Sequence, residues 1–518
     1  MKRLILLACG VALQAAGLAQ TGALDPTFGN GGIVMLAPGT LHDVVYGMDL
    51  QDDGKVIFTG VARITSPSGF TTDLVIGRLN TDGTLDASFG TAGLFTYASA
   101  GGSVFGYDVE VLPDGSILAC GGYSVTPSDT EFLLVRLTAD GVLDPAFGGG
   151  DGIATYSFGE GEDYALEFAV NADGTIVLVG SSALPTSAYD RAIALRVLPD
   201  GTIDTNFGTE GSVVFSLNAT SSDTFRSLAV LPDGRLVCAG YSYMDFAEHL
   251  LLVGLTPEGA LDATFANGGV LSGSTLSEAF AVVASEDVLY VGGRISTDGY
   301  DAAISAFNFS GELLPDYGVG GSVSVNFNPI DFFLGMTLQP DGKLLAVGAT
   351  GLGTFNNRDV LVCRYLPTGE LDADFADAGS TIIAVSTSFE DGNTVLLQED
   401  GRILISGFAA FTTNEMVFLR LLNEPISGIA QTETAPSLHL FPVPLTGSTL
   451  SITLPDGAQG TTECTLTDAS GRTVARTTQQ VPSLSGTIAL PLPASLPSGT
   501  YILQVLTPEQ RFSRAVVK

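Results

Sequence analysis

Thr81–Gly93 reads TDGTLDASFGTAG: a tight turn at Asp82-Gly83, then a Leu85-Asp86 pair and a Phe89-Gly90 pair. The pattern returns as Leu143-Asp144 with Phe147-Gly148 and as Ile203-Asp204 with Phe207-Gly208. Leu261-Asp262 with Phe265, and Leu371-Asp372 with Phe375, keep the ring but carry alanine after it. A worn copy is Leu313-Leu314 with Tyr317-Gly318, and the earliest copy is Leu24-Asp25 with Phe28-Gly29. The aromatic position falls at 28, 89, 147, 207, 265, 317 and 375, a spacing of 52 to 61 residues. Fixed periods of this size mark stacked supersecondary units.

Each period holds two further motifs. One is an apolar run opened by Asp-Gly and closed by glycine: QDDGKVIFTG (Gln51–Gly60), LPDGSILACG (Leu112–Gly121), NADGTIVLVG (Asn171–Gly180), LPDGRLVCAG (Leu231–Gly240), QPDGKLLAVG (Gln339–Gly348) and QEDGRILISG (Gln398–Gly407). A shortened copy, SEDVLYVGG, spans Ser285–Gly293. Asp-Gly between apolar runs signals a β-hairpin, because glycine accepts the positive φ of the turn. The other motif is a strand such as DLVIGRL (Asp73–Leu79), EFLLVRL (Glu131–Leu137), DVLVCRY (Asp359–Tyr365) or EMVFLRL (Glu415–Leu421). Each period thus supplies four short strands, in one case near Gly93–Ala98, Val104–Val111, Ser116–Gly121 and Glu131–Leu137. Four-stranded units repeated around an axis make a β-propeller.

The order of motifs argues for closure. Every third-motif strand is followed by a Leu-Asp/Phe-Gly copy except the last, Glu415–Leu421. The one copy with no strand before it is Leu24–Gly29. Pairing the two closes a seven-bladed ring. Strand alternation then puts both constant turns on one face and the variable connections on the other. These connections are Ala62–Thr72, Gly122–Thr130, Ser181–Asp190, Tyr241–His249 and Ala349–Arg358. Function on a rigid frame is expected in such loops.

The chain has 518 residues, with 64 glycines, 24 prolines and a formal charge of −35. That charge argues against nucleic acid and anionic membrane surfaces as partners. From residue 437 onward five basic residues face four acidic ones, so the acid belongs to the repeat region and a domain break is expected near 430. Met1–Gln20 reads as a signal peptide, with Lys2 and Arg3 ahead of apolar Leu4–Leu18 and a small-residue cleavage site at Gly17-Leu18-Ala19. The alternative, a lipoprotein box at Leu6-Leu7-Ala8-Cys9, leaves an apolar run of about five residues, below the usual length. The expected domains are a signal peptide at 1–19, the propeller at 20–424, a linker at 425–436 and a C-terminal sandwich at 437–518. About seven strands in the last stretch, among them TLSITLP, GTIALPLP and GTYILQVLT, point to a small immunoglobulin-like β-sandwich. The fold class is all-β.

The repeats, with their RLxxDGxLDxxFG pattern, resemble the delta-60 repeat family of bacterial secreted proteins over residues 22–424. That resemblance implies a β-propeller and no particular activity. The tail resembles the C-terminal sorting domain of type IX secretion cargo. The matching stretches are Phe441-Pro442-Val443-Pro444, Asp468–Arg472, Ser498-Gly499-Thr500-Tyr501 and the basic ending Arg514–Lys518. Val443 stands where that family usually has asparagine. This second resemblance implies export by the type IX machinery, followed by release or cell-surface attachment, with the outer membrane met only along that pathway.

Candidate sites are few. Asp25, Asp86, Asp144, Asp204, Asp262 and Asp372 would hold calcium only by converging on one ion; one per repeat, they read as caps of their own turns. Arg78, Arg136, Arg196, Arg364 and Arg420 recur at the strand end, eight residues before the turn aspartate where both are present, and read as structural staples. The expected structural set is these aspartates with Phe28, Phe89, Phe147, Phe207, Phe265 and Phe375. Cys120, Cys238 and Cys363 sit in apolar strands as small hydrophobes. His42, His249 and His439 form no triad or metal pattern. With no tryptophan, the aromatics able to anchor a partner on the variable face are Tyr123, Tyr189, Tyr241, Tyr243, Phe246, Tyr300 and Phe355. The leading reading is an exported, non-enzymatic binding or adhesion propeller with no cofactor, acting on an extracellular glycan or protein. The alternatives are a secreted hydrolase or lyase acting on a polysaccharide or peptide at the axial mouth, and a structural surface-layer role.

Overall fold

A computed structural model of the chain describes residues 21–66, 69–99, 102–183, 188–273, 276–296, 299–353 and 357–424, together with the strand segments 439–441, 449–453, 460–468, 473–481, 487–493, 500–506 and 511–517. The leader, the linker, Phe355, Pro442–Pro444, Ala469–Arg472 and Ser498-Gly499 lie outside the described residues. Two compact units emerge, Met1–Glu424 and Pro425–Lys518.

The first unit is a β-propeller, with no helix among its described residues. Among the described residues, strand pairing arranges its strands as seven four-stranded sets, the fifth and sixth joined by a parallel bridge at Tyr300 and Ile330. The first set runs Asp43–Leu50, Val56–Ser66, Gly69–Leu79 and Leu94–Tyr97 in that spatial order. Its second and third strands are covered on both faces, so Val56–Ala62 and Leu74–Leu79 are continuously buried rather than alternating. The inner strands are Asp43–Leu50, Val104–Val111, Asp163–Val170, Ser222–Val230, Glu278–Ala284, Ile330–Leu338 and Glu390–Leu397. Each packs on the inner strand of the next set, and the last packs on the first. Apolar clusters fill the gaps between neighbouring sets; Phe28, Val45, Phe58, Leu404 and Phe418 join the last set to the first.

The strand after each Phe-Gly turn pairs with the sheet before it. Leu94–Tyr97 is the outer strand of the first set, whereas the sequence grouping placed it with Val104–Val111. The reason is local. The Leu-Asp turn folds the chain back onto the strand it has just left, Asp86 N donating to Arg78 O at 2.9 Å and Arg78 N to Gly93 O at 3.1 Å. By the same rule Ile33–Leu36 is the outer strand of the last set, running antiparallel to Asn414–Leu421 with Ile33 opposite Leu419.

Three of the variable connections are mostly strand rather than loop over their described residues. Ala62–Thr72 is mostly strand, since Arg63 pairs with Thr72 and Ile64 with Thr71. Likewise Tyr243 pairs with Glu248 and Ser124 with Thr130. Threonine, tyrosine and isoleucine favour the pleated state, so the hairpins run on past the sheet body.

The second unit is a β-sandwich. A sheet of His439–Phe441, Thr449–Thr453 and Thr487–Pro491 faces one ordered Thr473–Val481, Gly460–Asp468, Thr500–Leu506, Arg511–Val517. Leu450, Ile452, Cys464, Leu466, Ile488, Leu490, Leu503 and Val505 form its shared core.

Candidate binding site

The constant face is a belt of staples. Asp86 Oδ1 accepts from Ser88 N at 3.0 Å and Ser88 Oγ at 2.6 Å, while Oδ2 takes Arg78 Nε and Lys55 Nζ, both at 2.9 Å. Asp25 does the same with Thr27 at one oxygen and Arg420 and Arg402 at the other. Asp144 pairs with Arg136, Asp204 with Arg196 and Asp372 with Arg364 and Lys343. Bonds from Ser88 and Lys55 hold the Asp86 carboxyl well below the usual range. Where the fifth copy has Gly254 in place of arginine, Arg235 reaches Asp262 at 2.8 Å from the preceding Asp-Gly turn. Phe265 fills the space a side chain at 254 would need, its Cγ 2.6 Å from the Cβ position.

Each staple crosses to the next repeat. Arg78 donates to Ala139 O at 2.8 Å, and Gly90 N to Asp140 O at 2.8 Å. Phe89 lies against Gly141, where a Cβ would stand 2.8 Å from the ring. The last turns find their partners at the start of the chain: Arg420 donates to Thr81 O, and Ala376 N to Thr21 O at 3.1 Å. Among the described residues no three His, Cys, Asp or Glu side chains gather as a cation's ligands.

A different constant feature shapes the axis. In every inner strand the register slips by one residue, between Val45 and Gly47, Gly106 and Asp108, Ala165 and Glu167, Phe225 and Ser227, Ala279 and Ala281, Phe333 and Gly335, and Gly392 and Thr394. The extra residue of a β-bulge is re-aimed out of the ladder. The bulged residues Tyr46, Tyr107, Leu166, Arg226, Phe280, Leu334 and Asn393 all line one axial cavity of about 690 Å³. Tyr164, Tyr241, Phe408 and the carboxylates Asp108, Glu167, Asp190 and Asp391 also line it. The glycine that closes each Asp-Gly motif faces the bulge. A Cβ on Gly60, Gly121, Gly180, Gly240, Gly293, Gly348 or Gly407 would lie 1.8 to 2.0 Å from the carbonyl oxygen ahead of it. That constant glycine is therefore the sequence signal for the cavity, and the residue it re-aims differs from sheet to sheet.

Carboxylates brace the wall. Asp108 accepts from Phe168 N at 3.3 Å and Glu167 from Leu228 N at 2.9 Å, each reaching the inner strand of the next set. Asp49 takes Val111 N at 2.7 Å in the same way, and Asn393 Nδ2 closes the circle onto Val45 O at 2.7 Å. Burial pushes Asp108 and Glu167 up, and the charge of Asp108 adds to the rise at Glu167. Burial also raises the Tyr46 and Tyr107 phenols. Arg358 holds Asp391 with two bonds, at 2.8 and 2.7 Å.

Of the aromatics expected to anchor a partner, Tyr241 reaches this cavity. Phe246, 94% exposed, and Tyr243, 43% exposed, stand at the hairpin tip of Leu236–Met244 and Ala247–Leu255, outside the cavity wall. Tyr189 is exposed on a connection. Tyr123 and Tyr300 are half-buried strand residues rather than loop anchors: Tyr123 stacks on Tyr97 at 6.2 Å, and Arg294 covers Tyr300 at 4.0 Å. His42 Nδ1 accepts from Asn414 N at 3.3 Å, beside Arg63 in a smaller neighbouring cavity.

Residues 51–89, 112–147, 172–207 and 339–375 match the family model described as a domain of unknown function (DUF5122) beta-propeller. These four stretches are similar to the repeats of that family. Each runs from the Asp-Gly hairpin to the buried phenylalanine. The seven bulged residues fall outside the matched stretches. No curated protein matches the chain. Similar solved structures include an ulvan lyase of a new polysaccharide lyase family, with 7% identity and a TM-score of 0.43 over 74% of this chain and 96% of that one. An α-L-arabinofuranosidase from Fusarium graminearum has 10% identity and a TM-score of 0.40 over 76% of this chain and 97% of that one. Sqt1 from Chaetomium thermophilum has 14% identity and a TM-score of 0.39 over 74% and 98%. None of these bears on what this chain binds.

Proposed function

We propose that the chain is an exported, non-enzymatic binding propeller whose ligand site is the axial cavity. The observation that carries this reading is the convergence of all seven bulged residues, different from sheet to sheet, on one cavity framed by constant turns. Its volume is within the range of small-molecule sites, and its wall mixes tyrosine faces with polar groups, four carboxylates and one arginine among them. An extracellular glycan fits that mixture better than a plain apolar ligand. Export rests on the leader at Met1–Gln20, and passage through the type IX machinery on the motifs of residues 437–518. The reading needs no cofactor, and the charge of −35 speaks against nucleic acid.

A second reading, a hydrolase or lyase in the same mouth, is favoured by Asp108 and Glu167 on the cavity wall. A carboxyl with a raised pKa suits a general acid. Against it, both carboxylates already accept backbone N–H groups from neighbouring strands. The test is a panel of oligosaccharides and peptides, scored for retention and for new products. Retention without new reducing ends or unsaturated products is expected. Products that vanish in Glu167→Gln would replace binding with catalysis. Retention on no member of the panel would remove the cavity reading. For export, a chain lacking residues 437–518 is expected to stay in the periplasm of a host with the type IX system; its appearance in the medium would contradict the sorting role.

A further inference from the structure

The cavity holds a cation that the protein leaves unpaired. The arginines of the staple belt each meet a carboxylate, and Arg358, also near the axis, is held by Asp391. Arg226 has no ion pair among the described residues, and its buried Nε takes no hydrogen bond. It is the one bulged residue of the seven that carries charge. Its guanidinium stands 5.7 Å from the Tyr241 ring centre and 5.8 Å from that of Phe280. Both distances lie near the outer limit of about 6 Å for cation–π attraction, so the contacts orient the group without using its in-plane donors.

A half-buried guanidinium with free in-plane donors is matched by a planar carboxylate, which accepts two parallel N–H bonds. Around it, Tyr46, Tyr107 and Tyr241 offer flat faces for the C–H side of a sugar ring and hydroxyls for its edge. The charge of −35 works against any anion at long range, and at about 0.15 M salt that repulsion is screened beyond roughly 8 Å. Inside the cavity four carboxylates share the wall with Arg226, but Asp391 is held by Arg358 and Asp108 and Glu167 accept backbone N–H groups, which leaves the Arg226 guanidinium as the cation open to an anionic ligand.

We propose that the axial cavity selects a carboxylate-bearing sugar, a uronate unit within a glycan, and that Arg226 is the residue that recognises its charge. This deepens the binding reading and rests on it. The probe is tri-galacturonate, titrated at about 0.15 M salt beside its methyl ester, which has the same rings without the charge. The acid is expected to bind at least tenfold more tightly than the ester. Arg226→Gln should remove that preference, and Arg226→Lys should keep part of it. The ester's affinity should fall less than the acid's, and a thermal melt that matches the unmodified chain reports that the variants are folded. Equal binding of acid and ester, or an equal loss of both in Arg226→Gln, would overturn the charge recognition and leave the binding reading standing. If neither probe binds while neutral glycans of the panel do, the uronate proposal falls alone. If no glycan binds, both fall.

Discussion

A Cβ at position 240 would stand 1.9 Å from the Thr224 carbonyl oxygen, on the strand that bulges to aim Arg226 at the axis. Gly240→Ala is therefore an overpacking change with backbone as its neighbour, where little can yield. It is expected to cost about 1–3 kcal/mol of stability. Gly273→Ala, whose Cβ would meet nothing within 4 Å, should stay within about 0.5 kcal/mol. Chemical denaturation of the two variants checks this; equal stabilities would mean that the glycine does not hold the bulge open. The sequence displayed Gly240 and its six counterparts as constant residues closing an apolar run, without saying what they admit. The residues they re-aim were not legible, because a bulge adds one position to a strand and Tyr46, Leu166, Arg226 and Asn393 share no chemistry. Arg235 was likewise hidden, since it reaches Asp262 from a different turn than the arginine it replaces.

At the scale of elements, two sets of carboxylates answer pH in opposite directions. Asp25, Asp86, Asp204, Asp262 and Asp372 have lowered pKa values in the fold, so their contribution is present above their ordinary value of 3.8 and is lost as pH falls further. On the inner strands, burial pushes Glu110 up to about 7 from 4.5. The fold favours its protonated form, whose stabilisation is complete below about 4.5 and is lost as pH rises through about 7. Stability should thus peak in mildly acid solution and decline towards pH 8. Glu110→Gln keeps a carbonyl acceptor for Val170 N–H and should shrink that decline. Thermal melts between pH 5 and 8 that fall equally in both proteins would contradict it. The aspartates and phenylalanines of the constant turns were readable from their spacing alone, because each serves its own turn and its neighbour. The inner-strand acids were not, since their role depends on which strand lies beside them around the axis.

For the whole molecule, the first residues of the propeller are as much core as any later repeat. Phe28 is 1% exposed, packs beside Leu404 and Phe418 from the last set, and lies under Arg420 at 4.6 Å. Phe28→Ala should cost about 3–5 kcal/mol, as Phe147→Ala should, although one residue stands near the chain's start and the other in its middle. A loss below about 1 kcal/mol for Phe28→Ala alone would mean that the join between the last and first sets carries no load. That closed frame is what lets seven dissimilar side chains meet at one axis, and it moves the expected contact surface from the hairpin tips to the cavity. The most direct measurement is the affinity of a retained ligand for two variants, Tyr46→Ala/Tyr107→Ala/Phe280→Ala in the cavity and Tyr243→Ala/Phe246→Ala at the exposed tip. An affinity loss of tenfold or more in the cavity variant, with the tip variant within twofold of the unmodified chain and both still folded, is the predicted result. Binding that survives in the cavity variant and disappears in the tip variant would place the site on the rim and contradict the axial account.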